Sequence, residues 1–265
     1  MQGAPGRDHG HPQVSGFRKS RPDARRGDFE MEAAGLRWLA EADGVRVPQV
    51  LGVGGDPGWL ELERIDQGQL SRDGAEDLGR ALAGMHRRGA ERHGTFPPGA
   101  PDRILRLGLA ELELTEADSW PRLYAEQMIE PLAVRAHRAG NLSAEDVAAI
   151  GGVCDRIEDL AGEEEPPSRL HGDLWSGNVL AGADGRAWLI DPAAYGGHRE
   201  VDLAMLRLFG SPSDRIFAAY EEAAPLADGH GERIDLWQLL PLLVHALLFG
   251  GSYGATAGRA ARRYL

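Results

Sequence analysis

The chain has 265 residues, of which 42% are hydrophobic and 26% are charged, and its formal net charge is −12. This acidic balance argues against general nucleic-acid binding, because nucleic-acid phosphates are contacted mainly by Lys and Arg. The longest apolar run, residues 236–249, is too short to span a bilayer and is interrupted by Pro241 and His245. We therefore expect neither a nucleic-acid partner nor a membrane span, and the length suits a small lobe joined to a larger one.

The cysteine content and the first residues bear on where the protein works. Cys154 is the only cysteine, so no intrachain disulfide can form and a reducing compartment fits the sequence. Residues 1–11 contain no apolar core of the kind that a secretory signal has. We therefore expect a cytoplasmic protein.

The first part of the chain has the patterns of a strand-rich lobe. Residues 1–16 are rich in Gly, Pro, His and Arg without a period, and they predict a flexible lead-in. Residues 17–20 predict the end of a short strand. A helix is expected from about Asp28, because apolar side chains recur there at helical spacing. Strands are expected over 45–53 and over Trp59–Glu63.

The rest of the chain is expected to be mostly helical. Two apolar runs around a Gly-rich turn at 182–185 predict a β-hairpin that ends at Asp191. Helical patterns are predicted over residues 73–88, 103–115, 119–138, 144–161, 200–209, 213–223 and 234–249. We therefore expect an α+β, bilobal fold, with a small β-rich lobe over residues 1–66 and a larger, mostly helical lobe over 67–265.

A single lysine and a carboxylate on an apolar helix face point to one ion pair. Glu32 shares a helical face with Phe29 and Leu36, where an unpaired carboxylate would be costly. Lys19 is the only lysine of the chain and lies just upstream of that helix. We expect the two to pair, an arrangement by which kinases aim a lysine at nucleotide phosphates. The alternative is a disordered segment 1–27 with Lys19 in solvent.

The strongest chemical signal is the sequence His-Gly-Asp-Leu-Trp-Ser-Gly-Asn at residues 171–178. Asn178 follows Asp173 by five positions, the spacing of kinase catalytic loops, in which the Asp orients an acceptor hydroxyl and the Asn holds a metal. The predicted hairpin returns Asp191 beside the strand that carries Asn178, and magnesium prefers such oxygen ligands. We therefore predict Asp173 as the catalytic base and Asn178 and Asp191 as magnesium ligands.

Two further residues are expected to support this loop. We expect His171 to brace it through backbone contacts, and Asp202 to cap a helix and hold the loop from behind. For Asp173 or Asn178 taken alone, a purely structural role such as capping a turn is the simpler alternative. The joint pattern of loop, hairpin and second aspartate favours the functional interpretation.

On these residues, the chain resembles the fructosamine kinase (ketosamine-3-kinase) family, within the aminoglycoside-phosphotransferase-like enzymes of the protein-kinase-like fold. The Leu-Trp-Ser-Gly inside residues 171–178 carries the resemblance, which continues over 190–205. It is also visible upstream, over 29–36 and 45–48. In all, it covers about residues 17–250.

The resemblance implies ATP as the phosphoryl donor. Lys19 then matches the family's phosphate-contacting lysine and Glu32 its helix partner, while Glu63, Arg64 and Ile65 match the hinge that holds adenine by backbone groups. Family members also carry a strand pair with a glycine-containing phosphate loop before the lysine strand. Only 18 residues precede Lys19 in this sequence, so we expect the first part of the nucleotide lobe to be truncated or degenerate.

The resemblance also implies that the acceptor is a ketosamine, a sugar adduct on an amine, either a small molecule or linked to protein. Asp173 matches the family's proton acceptor, and Trp175 is expected to line the acceptor site as a flat wall for the sugar, with loop packing as the alternative. Phosphorylation of the sugar would destabilise the adduct and so repair the amine. Two alternatives stay open: another small-molecule kinase of the same fold, and an inactive pseudokinase or binding module that lacks the phosphate loop.

Overall fold

The structure, a computed structural model, describes residues 15–55, 58–210 and 213–265. The predicted flexible lead-in and the predicted loss of a glycine-rich strand pair concern residues 1–14 above all, which lie outside these ranges. The described chain begins with the elements β1 (Gly16–Ser20), α1 (Asp28–Ala40), β2 (Val50–Gly54) and β3 (Trp59–Glu63). The three strands form an antiparallel sheet in the order β1-β3-β2, and α1 lies next to it.

Helix α1 packs its apolar face on this sheet. Phe29, Ala33 and Leu36 form a buried cluster with Leu60 and Leu62 of β3. The strand predicted over residues 45–53 is shorter in the structure, since pairing with β3 begins only at Val50. A proline at position 48 explains the difference, because it has no N–H to donate to a strand ladder.

The larger part of the molecule is mostly helical. Trp120, Tyr124 and Trp237 lie at the centre of its main core. No helix within the three described ranges is both long enough and apolar enough to cross a membrane. The helices are α2 (Arg72–Arg88), α3 (Trp120–Arg122), continued through a π-helical stretch (Leu123–Ile129) into α4 (Glu130–Arg138), α5 (Ala144–Cys154), α6 (Ile157–Leu160), α7 (Arg199–Leu208), α8 (Asp214–Ala223), α9 (Ile234–Trp237), α10 (Leu239–Phe249) and α11 (Tyr253–Arg262).

The helix predicted over residues 103–115 is wrong, because this segment forms an antiparallel hairpin. Its strands are β4 (Ile104–Leu107) and β5 (Ala110–Glu113). Leu105, Leu107 and Leu112 are buried at alternate positions, as a strand period of two requires. Gly108 turns the chain with a φ of 60°, a conformation that glycine adopts without strain.

Two further strand pairs lie on either side of the segment 171–178. β6 (Ser168–Leu170) pairs with β9 (Tyr195–Gly197), and β7 (Val179–Ala181) pairs with β8 (Ala187–Leu189), both antiparallel. The β7–β8 pair is the predicted hairpin, which is confirmed. Together with the sheet and the helices it confirms the α+β class. The division into lobes at residue 66 stays a prediction.

Candidate active site

The predicted catalytic loop follows β6 and is held through its backbone. The buried Asp202 carboxylate of α7 accepts the N–H of His171 at 2.7 Å and that of Gly172 at 2.9 Å. The His171 ring bonds in two directions, since its Nε2 donates to the Ile190 carbonyl at 3.0 Å and its Nδ1 accepts the Asp173 N–H at 3.3 Å. His171 and Asp202 thus contact the loop backbone on two sides.

Asp202 is itself fixed by buried partners. Its Oδ2 lies 3.3 Å from Nε2 of His86, whose Nδ1 lies 2.8 Å from the hydroxyl of Tyr220. A buried carboxylate without such partners would be costly. The expectation that Asp202 caps a helix is wrong, because α7 is capped by His198, whose side chain accepts the N–H of Glu200 at 3.3 Å. Asp202 lies inside that helix and bonds outward to the loop.

Asn178 ties the end of the loop to Asp173. It is buried, and its amide nitrogen donates to the Asp173 carbonyl oxygen at 2.8 Å and to the carboxylate Oδ2 at 3.0 Å. The amide oxygen is therefore the atom that Asn178 has left for a metal. Burial raises the pKa of Asp173, against the effects of His171 and of the Asn178 hydrogen bond, and the charge of Asp191 raises it further. A half-buried carboxylate of this kind is a better proton acceptor than an exposed aspartate.

Lys19 reaches from β1 to two carboxylates. Its Nζ lies 2.8 Å from Oε1 of Glu32, so the expected ion pair is present, and 2.6 Å from Oδ1 of Asp191. Burial alone would lower the pKa of Lys19, but Glu32 and Asp191 outweigh it and raise that pKa, which keeps the ammonium charged. Asp191 has a φ of 54°, a left-handed conformation that is uncommon outside glycine and often marks functional sites.

The chemistry of Asn178 and Asp191 fits magnesium. An amide oxygen and one carboxylate suffice, because Mg²⁺ usually takes one or two protein ligands and completes its shell with substrate phosphates and water. The described ranges hold no group of three or more His, Cys, Asp or Glu side chains placed to bind a metal by themselves. Asp191 also raises the pKa of Asp173 and of Glu32 by repulsion, which a bound cation would relieve.

Asp173 lies between two cavities. The first, which we call the charged cavity, has a volume of about 340 Å³ and is also lined by Lys19, Glu32 and Asp191. The second, which we call the aromatic cavity, has a volume of about 480 Å³ and is also lined by Trp175. Both volumes fall in the range of small-molecule sites, about 300–1,000 Å³. The structure thus brings Asp173 together with the predicted phosphate side and with the predicted acceptor wall.

The aromatic cavity includes residues that the sequence did not single out. The Trp175 ring meets Phe209 edge-on, with ring centroids 6.4 Å apart and planes at 84°. The His245 ring lies 4.7 Å from Phe209, 5.4 Å from Phe249 and 5.0 Å from Tyr253. Phe209 directly follows α7, His245 and Phe249 belong to the second half of α10, and Tyr253 begins α11, all far from the loop in sequence. Their only signal is an aromatic-rich C-terminal stretch, which core packing explains equally well.

The predicted hinge lies farther along β3. Glu63 is paired with Gly16, whereas Leu60 is paired with Lys19, so the hinge begins about 10 Å from the lysine position along the strand. The N–H groups of Glu63 and Arg64 already donate to protein carbonyls, those of Gln49 and Ser15, each at 2.8 Å. Neither cavity beside Asp173 is lined by Glu63, Arg64 or Ile65. An adenine contact at these residues stays a prediction.

The fold defines the class of protein. The structure of choline kinase LicA from Streptococcus pneumoniae matches with a TM-score of 0.61 at 16% identity, over 95% of this chain and 86% of that one. At this identity the match shows the fold alone, which is the bilobal protein-kinase-like fold expected from the sequence. The prediction of the fold is confirmed.

The family follows from closer matches. A model described as fructosamine kinase matches residues 11–265, so the chain belongs to the fructosamine kinase family. A Thermobifida fusca crystal structure, provisionally described as a fructosamine-3-kinase, matches with a TM-score of 0.85 and 46% identity, over 94% of this chain and 85% of that one. A probable ketoamine kinase of Synechocystis is 32% identical over 241 residues, 89% of this chain and 78% of that protein.

Proposed function

We propose that the protein is an ATP-dependent kinase that transfers the γ-phosphoryl group to a sugar hydroxyl of a ketosamine. The observation that carries this proposal is the position of Asp173, a half-buried carboxylate that lines both the charged cavity and the aromatic cavity. A phosphate held on one side and a hydroxyl held on the other would meet at this side chain. Membership of the fructosamine kinase family supports the same reaction.

Asp173 is proposed as the catalytic base. The acceptor hydroxyl oxygen forms a bond to the γ-phosphorus while the bond from that phosphorus to the β–γ bridging oxygen breaks and ADP leaves. The hydroxyl proton passes to Asp173, whose raised pKa suits it to accept a proton. His171 and Asp202 hold the loop backbone, so the carboxylate meets the hydroxyl without a costly rearrangement.

The nucleotide is assigned to the Lys19 side of the site. Lys19 would contact the phosphates as a point charge and Glu32 would orient it, as in other kinase-like enzymes. Because Glu63 and Arg64 use their N–H groups within the protein, the adenine would contact their carbonyl oxygens and the backbone of Ile65. The Lys19–Glu32 pair supports the enzyme over the alternative of an inactive binding module.

Asn178 and Asp191 are the proposed ligands of Mg²⁺. When bound, the ion would neutralise phosphate charge as it transfers. Asp191 contacts Lys19 through Oδ1 at 2.6 Å, so its Oδ2 would be the atom available to the ion. The Lys19 ammonium has three N–H donors, and beyond those facing Glu32 and Asp191 one would remain for phosphate.

The acceptor is assigned to the aromatic cavity. Trp175 would present its ring to the sugar, since apolar ring faces suit the C–H surface of a sugar, while the hydroxyl to be phosphorylated points at Asp173. The relatives named as ketoamine or fructosamine kinases favour a ketosamine over choline or an aminoglycoside. Phosphorylation of the sugar would destabilise the adduct and release the amine, which makes deglycation repair in the cytoplasm the proposed role.

The test is direct product analysis with the full chain. MgATP is supplied with 1-deoxy-1-methylaminofructose, and phosphorus NMR follows the phosphate. We expect one new phosphate monoester for each ADP formed. Fructose, choline and kanamycin are the matched acceptors, and a faster reaction with any of them would contradict the ketosamine assignment. Absence of both ester and ADP with every acceptor would contradict the kinase.

A further inference from the structure

Exposed apolar side chains lie in the lining of the aromatic cavity or directly next to it in sequence. Leu109, at the tip of the β4–β5 hairpin, is 71% exposed, Phe249, at the end of α10, is 68% exposed, and Trp175 is 39% exposed. Trp175 and Phe249 line the cavity, as does Gly108 beside Leu109. The hairpin tip adjoins α10, since a Cβ on Gly108 would lie only 3.1 Å from Leu248. We call Leu109, Phe249 and Trp175 the apolar rim.

Few charged side chains line the aromatic cavity. Of the described residues that line the aromatic cavity, only Asp173, His245 and Tyr253 have titratable side chains, and none is Lys or Arg. The Arg25 guanidinium reaches the hairpin tip, but it donates to the Gly108 carbonyl at 3.0 Å and pairs with Glu111 at 3.0 Å. A carboxylate on the acceptor would therefore meet no Lys or Arg in the described lining and would be repelled by Asp173.

We propose that the apolar rim selects ketosamines whose amine nitrogen carries an apolar group, in preference to ketosamines of free amino acids. This inference rests on the proposed function, which places the sugar in the aromatic cavity beside Asp173. With the sugar there, the substituent on nitrogen extends to the mouth of the cavity. An apolar substituent covers Leu109 and Phe249 and removes their surface from water, which is favourable in proportion to the area covered.

The experiment compares three acceptors that share the fructosyl group and differ only at nitrogen: the benzyl, methyl and carboxymethyl compounds. We expect kcat/KM for the benzyl compound to exceed that for the methyl compound roughly tenfold, with the difference in KM, because the contact is uniform binding of apolar surface. The carboxymethyl compound is expected to be the poorest of the three.

Variants locate the effect. In Leu109→Ser, Phe249→Ser and the double variant, the benzyl-to-methyl ratio of kcat/KM is expected to fall toward one. Val134→Ser and Leu265→Ser are matched controls, since these side chains are 42% and 60% exposed and line neither cavity beside Asp173, and they should keep the native ratio.

Two kinds of failure are distinguishable. Equal kcat/KM for the three compounds in the native protein, or an unchanged ratio in the double variant, would overturn the role of the apolar rim while the ketosamine kinase stands. Failure to phosphorylate any of the three would overturn the proposed function and this inference with it.

Discussion

The proposed catalytic loop, residues 171–178, and strand β1, which carries Lys19, meet at one site but are held by different kinds of contact. The loop at residues 171–178 is anchored in the helical part, where the buried Asp202 accepts two of its backbone N–H groups. Lys19 projects from β1, which lies at the edge of the sheet formed by the described strands and has mostly exposed residues. Within the described residues, the partners of its ammonium are the side chains of Glu32 and Asp191.

This difference in anchoring divides the site into two parts: a fixed part, the loop at residues 171–178, and an adjustable part around Lys19. Breaking the bonds to Asp202 leaves buried N–H groups unpaired, so the loop keeps its geometry whether or not a ligand is bound. The pair between Lys19 and Asp191 is partly exposed, and water or phosphate can replace either partner at small cost. We therefore expect a preformed acceptor side and a nucleotide side that exchanges contacts when MgATP binds.

The largest expected effect is a loss of turnover when the proposed base, Asp173, is changed. Asp173→Asn keeps the size of the side chain but removes the proton acceptor, so kcat should fall on the order of 10²- to 10⁴-fold. The urea unfolding midpoint should stay near the native value, because a neutral amide suits a half-buried position. Turnover at the native rate in this variant would remove Asp173 from the reaction.

A second change breaks the anchor of the loop. Asp202→Ala leaves the N–H groups of His171 and Gly172 without their acceptor and Nε2 of His86 without its partner. We expect the free energy of unfolding to fall by about 2–4 kcal/mol in urea denaturation. Asp118→Ala is the matched control, because that side chain is 92% exposed and its ion pair within the described part of the chain is with Arg92. This variant should change the unfolding free energy by less than about 0.5 kcal/mol. Equal effects in the two variants would show that the loop is not anchored as described.

The smallest effect is a shift in pH dependence. A protonated Asp173 cannot take the acceptor's proton, so kcat/KM for the ketosamine at saturating MgATP is lost as pH falls through the pKa of Asp173 and is retained above it. Because burial raises that pKa, the acid limb should lie above the value of an exposed aspartate, about 3.9. Tryptophan fluorescence checks that the chain stays folded over the same range. An acid limb at or below the ordinary aspartate value would contradict the environment assigned to Asp173.

The parts of the fold that depend on local sequence were predictable. The five-residue spacing of Asp173 and Asn178 identifies the candidate base from the sequence alone. The two apolar runs around a Gly-rich turn likewise predict the β7–β8 hairpin. The Lys19–Glu32 pair could also be predicted, because a carboxylate on an apolar helix face is costly unless a cation pairs with it.

What was missed depends on contacts between distant segments. The hairpin at 104–113 was predicted as a helix, although Leu105, Leu107 and Leu112 alternate around a glycine and could have indicated strands. The pair of Lys19 with Asp191 joins residues 172 positions apart, a separation at which sequence patterns carry no signal. The position of His245 in the lining of the aromatic cavity is of the same kind, since only the packing of α10 creates it.

The central claim is that Lys19 binds the nucleotide whereas Asp173 serves the acceptor. Calorimetric titration of MgATP into two variants tests it most directly. Lys19→Met should weaken MgATP binding about 10- to 100-fold, because a charge-assisted contact to phosphate is lost. Asp173→Asn should bind within about threefold of the native protein, since its side chain serves the acceptor. Arg18→Met is the control on the same strand. The Arg18 side chain points to the other face of the sheet and stacks on Trp59, with its guanidinium carbon 4.2 Å from the ring centroid. Native affinity in Lys19→Met, or a loss in Asp173→Asn as large as in Lys19→Met, would contradict the account.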